Sequence, residues 1–275
     1  MRTFFRLLRG SVLGAFDDGA LGIAKGATYS FLLALFPGLL LLAALLAGAH
    51  PRQLLFVAFG PVLNRILPLP ALHLLQTTVT AGHAASLRLM LSAGVVSLWA
   101  ASSLMVSWME AFQKAYDAPP LPLIRQRLVA LWLAVAAVLP LVLATMLVAV
   151  GDALEQWLLR FGYGRVILLL VSDVSRWLIA IIATTVVLAV VYHQGVARRV
   201  SWRHVFPGAM VATGLWLSAT FGFAIYVHRF AEYSDLYGGL AAVVILMIWM
   251  YILSLVVMIG AEFNSELERH RYTRA

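Results

Sequence analysis

Six stretches of the chain run for more than twenty residues without Asp, Glu, Lys or Arg: Gly26–Pro51, Leu89–Met109, Leu128–Gly151, Trp177–Ala197, His204–His228 and Leu236–Ala261. Leu, Ala, Val and Ile dominate each of them. About 20 apolar residues at 1.5 Å apiece cross about 30 Å of hydrocarbon. The pattern therefore predicts an all-α integral membrane protein, one membrane domain over 1–275, with six transmembrane helices near 29–49, 89–109, 128–150, 177–192, 207–227 and 238–261. A seventh charge-free run, Ile66–Leu87, carries Pro68, Pro70, His73, Gln76, Thr77, Thr78, Thr80 and His83. Left without partners in lipid, those groups would cost several kcal/mol, so the run reads as an interfacial helix. Leu54–Leu63 is too short to span. Leu154–Leu170 is interrupted by Glu155, Arg160 and Arg165 and also reads as lying on the surface.

The first 25 residues carry Arg2, Arg6 and Arg9, but the apolar stretch Val12–Phe16 is too short for a secretory signal and ends at Asp17-Asp18. Phe4–Phe16 reads as an amphipathic helix on the cytoplasmic surface. Gly10/Gly14 and Gly22/Gly26 have the spacing that lets helices approach closely, or they mark bends around Asp17-Asp18-Gly19. Lys and Arg number 13 on the side of the termini and seven on the other side. The bias puts both termini, including the tail 262–275, in the cytoplasm. Proline recurs in odd-numbered spans as Pro37, Pro140 and Pro207, and Pro37 and Pro140 should bend their helices.

Composition sharpens this picture. Of 275 residues 63% are hydrophobic and 12% charged, with a mean hydropathy of +0.92. A soluble domain carries about twice that charge, so soluble and disordered classes are excluded. The net charge of +8 fits basic loops against anionic lipid on the cytoplasmic face. The basic residues are spread over many connections, which gives no nucleic-acid face. There is no cysteine, and the seven histidines are scattered. No HExxH, GxSxG, Walker A or GxGxxG pattern occurs. The expectation is no catalytic residue, no metal and no cofactor.

Ionisable groups at the span rims are the remaining chemistry, since charge in a membrane marks function. Glu262 and Glu266 lie four apart at the end of the sixth span, where carboxylates oppose the helix dipole and want cations. Lys25, Arg269 and His270 are the candidates. A Lys25–Glu262 pair would close the first helix onto the last. Glu110 and Lys114 have the spacing of a local helix pair. Tyr226, Phe230, Tyr233 and Tyr237 fit an aromatic belt.

Several blocks resemble the YihY/BrkB family of bacterial inner-membrane proteins. They are Ala27-Thr28-Tyr29-Ser30-Phe31-Leu32-Leu33-Ala34-Leu35-Phe36-Pro37; Ala111-Phe112-Gln113-Lys114-Ala115-Tyr116 with Arg125 and Arg127; Arg198–Ala209; and Tyr237-Gly238-Gly239, Trp249-Met250-Tyr251 and Gly260-Ala261-Glu262-Phe263-Asn264-Ser265-Glu266-Leu267. The resemblance implies a six-span inner-membrane protein with inside termini and a role in envelope lipid handling or export. Members have borne the names ribonuclease BN and virulence factor BrkB. The chain departs from the family at Lys25-Gly26-Ala27-Thr28-Tyr29-Ser30, which replaces an Ala-rich double-tyrosine stretch, and at Gln113, where Asn is common. The candidate functional or structural positions are Lys25, Tyr29, Ser30, Pro37, Glu110, Arg127, Tyr237, Glu262, Asn264 and Glu266. Two function classes follow: a non-enzymatic transporter or flippase-like protein for a lipid or other amphiphile, or a structural scaffold of the envelope. A water-accessible cavity at mid-membrane, lined by residues such as Tyr29, Ser30 and Thr213, would favour the first, and a bundle packed solid the second. Oligomeric state does not follow from the sequence.

Overall fold

The computed structural model describes residues 2–48, 87–138, 165–198, 200–230 and 239–272, and every regular element among them is an α-helix. In chain order these are α1 (Arg2–Asp17), α2 (Ala20–Gly48), α3 (Leu87–Ala115), α4 (123–138), α5 (Arg165–Gly195), α6 (Trp202–Phe230) and α7 (Gly239–Tyr272). Five contain runs long and apolar enough to cross a membrane: Ala20–Leu39, Leu91–Ala115, Leu178–Gly195, Trp202–Val227 and Val243–His270. The remaining expected span, 128–150, begins in α4, and its second half lies outside the described residues. So do the expected surface runs Ile66–Leu87 (but for Leu87, the first residue of α3) and Leu54–Leu63, together with Pro140 and Tyr237.

Three boundaries differ from the charge-free runs, for one reason: charge sets the limit of burial in lipid, not the limit of a helix. α1 stops at a turn in which Gly19 has φ +77°, a conformation glycine adopts freely, and its N–H donates to the Phe16 carbonyl at 3.0 Å. α2 then starts at Ala20, so Lys25 sits inside a helix. α5 starts at Arg165, and its first residues continue into the span instead of forming a separate surface helix. α7 runs unbroken to Tyr272, because Ala261–Tyr272 contains no Gly or Pro. The expected tail is therefore helix, and its first residues are buried.

α2 packs along α3, α6 along α7 and α5 beside α6, while α7 also touches α1, α2 and α3. α2 and α6 begin, and α3, α5 and α7 end, at the same end of the bundle, here the α1 end. The buried core gathers there. It includes Ala24 and Ala27 of α2, Met105, Met109 and Phe112 of α3, Leu188 and Tyr192 of α5, Val205 and Ala209 of α6, and Val256, Val257 and Ala261 of α7. The opposite halves are exposed at Leu33 and Phe36, Val95 and Trp99, Ile182, Phe221 and Val244. In these halves Ala93 of α3 and, on α7, Met250 and Leu253 are buried.

Candidate functional site

The α1 end is held by polar groups that α7 projects in three directions. Toward α6, Asn264 is buried; its Oδ1 accepts from the Gly208 N–H at 2.6 Å and its Nδ2 donates to the Val205 carbonyl at 3.0 Å. These bonds flank Pro207, whose ring removes one donor from the α6 ladder. The amide can reach this backbone because Gly208 and Gly260 let the two helices touch. A Cβ at 208 would stand 2.1 Å from the Gly260 carbonyl, and one at 260 would stand 2.7 Å from Ala212 Cβ. From α5, the buried Tyr192 hydroxyl donates to the Val257 carbonyl at 2.7 Å, and its ring meets Phe112 edge-on with centroids 5.2 Å apart. Deeper, between α5 and α6, the Thr185 and Thr213 hydroxyls lie 3.0 Å apart.

Toward α3, Ser265 donates to the Ala115 carbonyl at 2.6 Å, and Arg269 donates to that carbonyl at 3.2 Å and to Asp117 Oδ2 at 2.8 Å. α3 ends here in a Schellman turn: the Ala118 N–H donates to the Gln113 carbonyl at 2.8 Å and Asp117 takes φ +47°. Of the carbonyls that a helix C-terminus leaves over, the turn itself takes up those of Gln113 and Lys114, and α7 takes up that of Ala115. Arg198, after α5, pairs with Glu268 and lies over the Tyr116 ring, 5.4 Å from its centroid. The Tyr116 phenol is pushed well above the usual range, first by burial and then by Glu268.

Toward α1, the Gly10/Gly14 pair faces the Glu266/Glu262 pair. A Cβ at 14 would lie 3.2 Å from Glu262 Oε2, and one at 10 would lie 3.4 Å from Glu266 Oε1. Two glycines one turn apart make room for two carboxylates one turn apart. Gly22, by contrast, has nothing within 4 Å of a built Cβ. Glu262 faces Asp18 and Arg269. Lys25 is exposed and makes no ion pair with Glu262 among the described residues, so the expected closure of α2 onto α7 through that pair does not form. The chain closes instead through α1. Nor do Glu110 and Lys114 pair: Lys114 reaches the Asp18 carbonyl at 3.2 Å. Asp18, Glu110, Gln113, Lys114, Asp117, Ala118 and Pro120 border a polar cleft of about 510 Å³.

The other candidates lie apart from this network. Tyr29 is 60% exposed, Ser30 is half-buried, and Pro37 is half-buried in mid-helix. Thr213 is buried against α5, so Tyr29, Ser30 and Thr213 do not line one cavity. Arg127 of α4 is half-buried and bonds α3. Its Nη1 donates to Ser103 Oγ at 3.1 Å, its Nη2 donates to the Trp99 carbonyl at 3.3 Å, and its guanidinium lies 3.9 Å from the centroid of the Trp99 ring. Ser103 and Trp99 are seven and eleven residues inside Glu110, the first charge at that end of α3. At helical rise that is about 10 and 16 Å. A cation part-way into the bilayer costs up to about 3 kcal/mol on insertion scales, and the two hydrogen bonds and the ring offset part of that.

Sequence reasoning passed over Tyr192, and placed Gly208, Gly260 and Ser265 only within the family blocks, not among the candidate positions. The signal was present as the small pair Gly208/Ala212 in one span and as Gly260 four residues before the polar Asn264 in the next. Asp18, Arg198 and Glu268 carried no such signal, since their partners come from distant helices.

Long apolar helices with their inner faces joined by hydrogen bonds and small residues define a polytopic α-helical membrane protein. Residues 13–275 match the family described as virulence factor BrkB, and the chain belongs to that family. It is similar to the ribonuclease-like protein YfkH of Bacillus subtilis (strain 168), with 29% identity over 245 residues, 88% of each chain. A UPF0761 membrane protein of Alteromonas mediterranea is 42% identical over 85 residues, 31% of this chain and 29% of that one. Another, of Tolumonas auensis, is 43% identical over 75 residues, 27% and 25% of the two chains. No solved structure matches. With its five apolar helices the chain is a multi-pass bacterial membrane protein. Among the described residues no three His, Asp or Glu side chains group as a metal site.

Proposed function

We propose that this protein is a non-enzymatic transporter of the flippase type for a lipid or other amphiphile of the bacterial envelope, with six spans and with the α1 end in the cytoplasm. The observation that carries this reading is one-sided closure. Buried side chains and interhelix polar bonds concentrate at the α1 end, while the far halves of α2, α3, α5 and α6 keep their large apolar side chains exposed. Transporters alternate access largely by rocking one packed helix unit against another, and a bundle joined at one end has such a motion open to it at the other. Pro37, in the far half of α2, removes a hydrogen bond where such a helix would flex. The excess of Lys and Arg at the α1 end supports its cytoplasmic placement.

The test is flux. Purified protein in liposomes containing a headgroup-labelled phospholipid should expose the inner-leaflet label to an impermeant quencher faster than protein-free liposomes do. Equal rates for both an anionic and a zwitterionic label would sink the transport reading. They would leave the scaffold alternative, which the apolar face of α6, with Met210 and Phe221 65% and 72% exposed, favours as a helix-docking surface.

A further inference from the structure

We infer that Arg127 and Trp99 form a site for the phosphate of a membrane phospholipid lying against α3 and α4. The guanidinium has no carboxylate partner among the described residues. Its Nε is buried and makes no hydrogen bond among the described residues. Two of its five N–H groups are used, on Ser103 and on the Trp99 carbonyl, which leaves one N–H on each Nη to donate to a phosphate oxygen. An arginine in lipid ordinarily snorkels toward the headgroups. This one is fixed along α3 at levels well inside Glu110, where α3 passes from the buried Ser102 to the 59% exposed Trp99. The charge thus sits at the boundary between the closed and exposed halves of the bundle.

The neighbouring surface suits acyl chains. α3 exposes Val95 and Trp99, and α4 exposes Leu128, Trp132 and Val135. An anionic headgroup with hydrocarbon attached meets both requirements, an unpaired cation and an apolar flank, and a soluble anion meets only the first. The inference deepens the transport reading by naming its substrate class, and rests on it only for turnover. Arg127 would hold the phosphate part-way between the bilayer surface and its midplane.

Binding and flux separate the two claims. The full chain, delipidated in a neutral detergent, is titrated with phosphatidylglycerol and with a diacylglycerol of the same acyl chains, and bound lipid is counted by native mass spectrometry. Wild type should bind phosphatidylglycerol at least ten-fold more tightly than the diacylglycerol. Arg127→Gln should erase that preference, whereas Arg125→Gln, an exposed cation one half-turn away, should keep it. Should the Gln variant fail to fold, Trp99→Leu leaves the charge in place and should weaken phosphatidylglycerol binding several-fold through loss of the platform. A preference that survives Arg127→Gln or Trp99→Leu, or that Arg125→Gln removes equally, overturns the site. Phosphatidylglycerol binding that depends on Arg127 without flux in liposomes would leave the site standing and retire the transporter.

Discussion

The two halves of α6 have similar compositions and opposite circumstances. Between Trp202 and Thr213 the helix buries Val205, Ala209, Ala212 and Thr213, receives Asn264 into its backbone and touches α7 through glycine. Between Gly214 and Val227 it buries nothing among the described residues, and Gly214 and Gly222 have no atom within 4 Å of a built Cβ. Both halves are apolar, so hydrophobicity does not separate them. In a bilayer, exposed leucine costs nothing, and helices associate where small residues permit contact and polar groups find partners. The difference shows that the near half of α6 is held by geometry and hydrogen bonds, which the far half lacks among the described residues.

The largest expected effect breaks the close contact. In Gly208→Ala the new methyl would lie 2.1 Å from the Gly260 carbonyl, a backbone atom that cannot step aside. The helices would have to part, disturbing the Asn264 and Tyr192 bonds together. Overpacking a tight site costs about 3 kcal/mol or more when the obstacle is backbone. A large fall in melting temperature in detergent is expected, and an unchanged melt would mean that α6 and α7 do not touch there. Next comes Asn264→Ala, which orphans the Gly208 N–H and the Val205 carbonyl in a buried place. At about 1–3 kcal/mol for each orphan, a loss of about 2–6 kcal/mol is expected by the same measurement. Asn264→Asp keeps the acceptor for Gly208 and should lose less. Tyr192→Phe removes only a hydroxyl from the Val257 carbonyl, and about 1–2 kcal/mol is expected; a neutral result would place that hydroxyl outside the clamp.

How much of this was legible in the sequence follows from what sets each feature. Five spans were readable because length and oiliness alone decide whether a helix can cross a bilayer. The α1 helix was readable from Phe4, Phe5, Leu8 and Phe16 among arginines. The ends of α5 and α7 were not, because Arg165 and Glu262 limit insertion in lipid but are sound helix residues. Asn264, Glu262 and Glu266 stood out as polar groups beside an apolar run, yet their partners did not: Glu262 was matched to Lys25 by charge, whereas space decided the outcome in favour of Gly14. Charge complementarity is a weak guide where one helix offers a gap shaped for the carboxylate and the other offers an exposed lysine. Tyr192, with no distinctive spacing, became visible only once α5, α6 and α7 were placed side by side.

The smallest effect is the most discriminating. Gly222→Ala and Gly208→Ala are the same chemical change on the same helix, fourteen residues apart. At 222 the added methyl meets nothing within 4 Å, so no overpacking opposes the gain from replacing glycine in a helix. That gain is at most about 1 kcal/mol, and a melting temperature equal to or slightly above wild type is expected. A marked loss at 222 would mean that the far half of α6 is packed in the native membrane, whether by a second copy or another partner, and the contrast between a fixed end and a free end would fail. Because the chain has no cysteine, single cysteines at 209 and at 221 add a direct reading with a maleimide in detergent. Residue 221 should label fast and residue 209 slowly. A reversal would locate the clamp at the wrong end of the bundle, and with it the unit about which transport is proposed to turn.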